Sequence, residues 1–109
     1  MPLAQGDIIE VGFGPSLGHE PAHRRPALVV STLDCNLRSS MTVLCPITST
    51  ISTFPMHVTL PEGDGVHGQV CVEQIRACDL EARPHTVIGR AGQETMGPVL
   101  DIIGGIFDI

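Results

Sequence analysis

Two adjacent arginines, Arg24 and Arg25, stand directly before Pro26 and the apolar run ALVV. A guanidinium presents a planar fork of donors matched to paired phosphoryl or carboxylate oxygens, and it stays charged at any working pH. The loop leading to them carries His19, Glu20 and His23, side chains able to exchange or accept protons near neutrality. Further on, Thr48 and Ser49 close the stretch CPITS, where a hydroxyl can both donate and accept. Glu73, Gln74 and Arg76 cluster in a later apolar run. A fixed cation, a hydroxyl and proton-transfer groups together suit chemistry at a phosphate. Each also has an ordinary use: loop arginines, histidines and glutamates are commonly solvated, and threonine commonly caps its own turn. Arg76 and Asp79 lie where they could form a structural ion pair or contact a nucleobase.

The charge balance works against a polyanionic partner. Twelve acids face six bases, the formal net charge is −6, and every base is an arginine. Phosphate chemistry must therefore rest on a local arginine cluster acting against an unfavourable overall field. Arg24, Arg25, Arg76 and Arg83 are the available cations. Phe13 and Phe54, with the histidines, are the available stacking surfaces.

The elements that must position these groups follow from hydrophobic period. DIIEVGF (7–13) alternates as a half-buried strand, PALVVS (26–31) reads as a central strand, and LDCNLRSS (33–40) has room for a short helical turn. MTVLCPIT (41–48) is a third strand that Pro46 should end or bulge. MHVTL (56–60) alternates again, GQVCVEQIRACDL (68–80) is the longest strand candidate, and HTVIG (85–89) is a short edge strand. Met96, Val99, Leu100, Ile103, Ile106 and Phe107 then fall at helical spacing, with Pro98 expected in the first turn and Gly104–Gly105 weakening the last. Length predicts one domain over 1–109, mainly β with a C-terminal helix, in a small, strongly bent antiparallel barrel. No signal peptide or membrane-spanning run is evident, so a cytoplasmic protein is expected. Cys35, Cys45, Cys71 and Cys78 show neither CxxC pairing nor tight ligand spacing, and read as reduced core residues.

The ordered pieces GDIIEVGF, GHE (18–20), RRPALVVS (24–31), CPITS (45–49) and EQIRACDLEAR (73–83), followed by an apolar helix, resemble the MazF/PemK family of toxins from bacterial toxin–antitoxin pairs. The resemblance implies an SH3-like barrel with a C-terminal helix, of the CcdB/MazF kind. It implies a homodimeric endoribonuclease that cuts single-stranded mRNA at short sequences without a metal or other cofactor, restrained by a cognate antitoxin whose acidic segment suits the RNA groove.

Carried onto this sequence, the resemblance makes Arg25 the central catalytic arginine, Thr48 its hydroxyl partner, and Glu20 of the loop a base or an arginine-orienting group. His19 and His23 stay open as alternatives for the base. Arg24, Ser49, Glu73, Gln74 and Arg76 take RNA-binding or supporting roles. In some members the acid matching Glu73 works with an arginine two residues earlier. Here that position is Cys71, which favours the Arg25–Thr48 version of the mechanism. Two other readings compete: a catalytically silent SH3-like interaction domain, and a CcdB-like gyrase poison, which the absence of tryptophan opposes.

Overall fold

The computed structural model describes residues 2–12, 24–63 and 65–109. Seven strands, β1 (Asp7–Gly12), β2 (Arg24–Val29), β3 (Thr42–Thr48), β4 (His57–Thr59), β5 (Gln69–Cys71), β6 (Arg76–Cys78) and β7 (His85–Arg90), carry most of the structure. Helix α1 (Leu33–Arg38), a 3-10 turn at Val72–Gln74 and helix α2 (Gln93–Phe107) complete it. The strands pair antiparallel in the order β4-β5-β3-β2-β1-β7, with β6 also paired to β3. The expected antiparallel sheet with a terminal helix is what the chain adopts. Among the described residues, no helix is long and apolar enough to cross a membrane.

Strand alternation divides the core in two. Ile8, Leu28, Cys45, Ile47, Val70 and Val72 gather with Met96 and Val99 of α2. Ile9, Val11, Ala27, Val29 and Leu44 gather on the opposite face with Leu3, Cys78 and Leu80. Leu28 is fully buried, so truncating it to alanine costs about 2–5 kcal/mol.

The long strand expected over 68–80 is broken. Leu44 pairs with Arg76 and Ile47 with Val70, so three steps along β3 are matched by six along its partner. The surplus coils into the 3-10 turn, where the Ile75 amide donates to the Val72 carbonyl at 3.2 Å. The period of two that suggested one strand survives only as far as Val72, which stays in the core with Val70.

Two proline expectations also change. Pro46 neither ends nor bulges β3, which runs through it to Thr48. On one side β3 pairs with β6 through Leu44 and with β5 from Ile47, so the missing N–H falls in the gap between the two ladders. Pro98 is not in the first turn. The amides of Thr95 and Met96 both reach the Gly92 carbonyl, at 3.1 and 2.9 Å, starting the helix at Gln93 and leaving Pro98 in its second turn. Gly104 and Gly105 do not stop the helix short. The helix continues to Phe107 and stops where Asp108 turns left-handed, with φ 57°. The apolar stripe is covered only in part: Met96 and Val99 are buried, whereas Leu100, Ile106 and Phe107 stay exposed in the single chain.

Candidate active site

β2 and β3 bring the two principal candidates together. Ala27 pairs with Pro46 and Leu28 with Cys45. Carrying this register two residues further sets Arg25 across from Thr48, beyond the end of the buried ladder. Thr48 in turn pairs with Gln69, Gln69 with Thr59, and Cys71 with His57. A band of polar side chains thus crosses β2, β3, β5 and β4 where the apolar core stops. Adjacent strands lie roughly 4.8 Å apart, so one substrate could touch several of these groups.

Arg25 and Arg24 are both exposed, and as consecutive strand residues they face opposite ways. Other arginines are committed elsewhere. Arg90 is paired with Asp7 at 2.7 Å and Arg38 with Asp34 at 2.9 Å, while Arg83 donates to the Gly12 carbonyl at 2.8 Å. Arg76 sits exposed at the start of β6, and Asp79 accepts from the Glu81 amide at 3.1 Å.

Thr48 is half-buried, and its Oγ1 accepts from the Thr50 amide at 3.2 Å. The turn-capping use of threonine is therefore present, and it leaves the hydroxyl hydrogen for another acceptor. Ser49 follows, exposed. Gly68 fixes the strand beside them. Its φ is +140°, and a Cβ there would run into the Thr48 carbonyl oxygen.

Two residues that composition alone did not single out organise the far half of the band. Gln69, 3% exposed, accepts from the Ser52 amide at 3.1 Å and donates to the Ser52 carbonyl and to Thr59 Oγ1, each at 3.0 Å. It thereby pins the segment after Thr48. His57 bridges Ser52 Oγ at 3.2 Å through Nδ1 and Glu73 Oε2 at 3.1 Å through Nε2, with Phe54 edge-on to its ring. Gln74 Nε2 reaches the same Glu73 oxygen at 3.4 Å, while Glu73 Oε1 is buried without a partner among the described residues. The only sequence signal for Gln69 and His57 was their place in short alternating runs. His19, Glu20 and His23, together with Phe13, lie outside the described residues.

All four cysteines are free, and all but Cys35 are buried. Burial, with Cys71 and Glu73 nearby, pushes the Cys45 thiol up to about 12. Burial and Glu73 also raise Cys71, partly opposed by a hydrogen bond from the Thr48 backbone.

The antiparallel sheet capped by a C-terminal helix is the architecture of the PemK/MazF class of toxins. Residues 4–107 match the family described as PemK-like, MazF-like toxin of type II toxin–antitoxin systems, and the chain belongs to it. More particularly, it is a MazF/ChpB-like endoribonuclease toxin. It is 41% identical to the endoribonuclease toxin ChpB of Escherichia coli strain K12 over 102 residues, covering 88% of this chain and 86% of that protein. Identity to the endoribonuclease toxin MazF of the same strain is 32% over 91 residues, covering 84% and 81%. The crystal structure of MazE–MazF (Form-II) from Deinococcus radiodurans superposes with a TM-score of 0.89 at 30% identity, over 100% of this chain and 98% of that one.

Proposed function

We propose that this toxin cleaves single-stranded mRNA at short specific sequences by attack of a ribose 2′-OH on the adjacent phosphate, with no metal in the mechanism. The reading is supported by the register of β2 and β3, which pairs Ala27 with Pro46 and, carried two residues further, would set Arg25 across from Thr48. Arg25 holds the phosphoryl oxygens and meets the charge that gathers on them as the 2′-oxygen attacks. A donor fixed before that charge develops is commonly the largest catalytic contribution. Thr48 keeps its oxygen on the Thr50 amide and turns its hydrogen to the phosphate. Glu20 takes the 2′-OH proton, with His19 and His23 as the alternatives. The bond to the 5′-oxygen breaks, that oxygen takes up a proton from solvent as it leaves, and a 2′,3′-cyclic phosphate remains. Ser49, Gln74, Arg24 and Arg76 contact the strand outside the scissile bond.

The exposed apolar residues of α2 support a homodimer, since Leu100, Ile106 and Phe107 lack cover in one chain. Two copies lining one groove would double the cations available to a partner of opposite charge. A cognate antitoxin is expected as the natural restraint, its acidic segment competing with RNA for those arginines. Several solved relatives are toxin–antitoxin complexes, including MazE–MazF from Deinococcus radiodurans. Action on mRNA is cytoplasmic.

The test is incubation of the purified dimer with a mixed single-stranded RNA in EDTA, followed by sequencing of fragment ends. Discrete cuts ending in cyclic phosphate, lost in Arg25→Ala, support the reading. Cleavage that requires a divalent ion, or none by folded wild-type protein, would overturn it and return the chain to a silent binding domain.

A further inference from the structure

His57, Cys71 and Glu73 each offer one ligand atom, and these atoms lie within 4.8 Å of one another. We propose that they form a binding site for a single Zn²⁺ ion, held by an imidazole nitrogen, a thiolate and a carboxylate.

The donor set is the one zinc selects: nitrogen at about 2.0–2.1 Å, sulfur at about 2.3 Å and oxygen at about 2.0–2.2 Å. Ligands around such an ion stand roughly 3.3–3.8 Å apart by those bond lengths. His57 Nε2 and Glu73 Oε2 are already 3.1 Å apart and all three ligand atoms lie within 4.8 Å, so the remaining closure falls to side-chain movement. The backbone fixes the other two relationships. His57 and Cys71 are direct cross-strand partners of β4 and β5, and the 3-10 turn brings Glu73 back beside Cys71.

Three further features fit an ion there. Glu73 Oε1 is buried without a hydrogen-bond partner among the described residues, a costly state that a cation engaging both carboxylate oxygens would relieve. The His57 ring is oriented from its far side by Ser52 Oγ on Nδ1, as metal-bound histidines usually are. Ser52 is itself held by Gln69. Cys71 is 4% exposed, which keeps its sulfur beside His57 and Glu73 and away from bulk solvent. A metal ion replaces the thiol proton, which passes to solvent, and leaves a charge-matched thiolate. Three protein ligands leave a fourth position for water. The proposal stands independently of the cleavage mechanism.

The experiment uses the full chain carrying Cys35→Ser, which removes the exposed thiol, after treatment with a chelator. Titration with zinc chloride should show one ion per chain at micromolar affinity or tighter. Cobalt(II) should give a thiolate-to-metal charge-transfer band that is lost in Cys71→Ser and kept in Cys45→Ser and Cys78→Ser. His57→Ala and Glu73→Gln should each weaken zinc by at least about tenfold. X-ray absorption of the zinc-loaded protein, which needs no further substitution at the site, should show one sulfur with nitrogen and oxygen neighbours. A band that survives Cys71→Ser, a zinc shell without sulfur, or only millimolar binding would overturn the site.

Discussion

Gly68 presses its backbone against the carbonyl of Thr48 so closely that a methyl group on residue 68 would overlap that oxygen and lie 3.3 Å from Ile47 Cγ2. Its φ of +140° adds a conformation that other residues rarely adopt. Gly68→Ala should therefore cost about 2–4 kcal/mol of stability, since backbone strain and overlap act together. Urea denaturation measures this. Folded variant should cleave more slowly than wild type, because the displaced strand end carries Thr48.

Arg25→Ala should reduce cleavage about 10²–10³-fold with little loss of stability, as expected for removal of one preorganised donor from a site where charge develops. Arg25→Lys should recover only part of this, because an ammonium cannot reproduce the planar fork. Arg24→Ala, on the opposite face of β2, should change turnover far less and act mainly through affinity. Single-turnover rates at saturating protein separate the two arginines. Equal turnover losses would remove the distinction between them.

Thr48 has one observed role and one proposed role that substitution can pull apart. Thr48→Ser keeps the oxygen that caps Thr50 and the hydroxyl hydrogen proposed to meet the phosphate, so it should stay within about tenfold of wild type. Thr48→Val removes both, costing about 1 kcal/mol of stability for the lost hydrogen bond. Its cleavage should fall by far more than that loss of stability can explain. Activity that follows stability alone would reduce Thr48 to a turn cap.

Cys45 makes stability fall in alkali. Its thiol titrates near 9.0 when unfolded and is pushed up to about 12 in the fold. The folded chain thus holds a proton that the unfolded chain has lost. Its contribution is complete below pH 9 and disappears as pH rises toward 12. The slope is about 1.4 kcal/mol per pH unit for one proton. The raised Cys71 adds in the same direction. With no lysine and no tyrosine in the chain, few other side chains titrate in this window. Urea midpoints measured from pH 8.5 to 11 should decline, and Cys45→Ala should flatten the decline while lowering the starting value.

Most of the fold was legible because the chain is strongly patterned. Ile9 and Val11, Ala27 and Val29, and the stripe beginning at Met96 announce their elements by period alone. The errors have local causes. Val70 and Val72 extend a strand-like alternation into a 3-10 turn, because a turn that returns Val72 to the core leaves the same apolar pattern. Pro46 looked disruptive since the gap in its ladder is a tertiary fact. Among the candidate site residues, Arg25 and Thr48 stood out in the sequence through their prolines and neighbours. His57 and Gln69 did not, because their importance lies in cross-strand partners that are distant in sequence.

The Gln69–Ser52 clasp has a consequence for how this protein can diversify. The path of the segment after Thr48 is held by one buried amide side chain and one serine backbone, with Thr59 steadying the amide. The side chains of Ser49, Thr50, Ile51 and Thr53 around it are exposed and take no part in that clasp. Selection can therefore rewrite these exposed positions while the sheet beneath remains intact. A library confined to these positions, screened for altered cut sites, would explore new target preferences at little cost in folding.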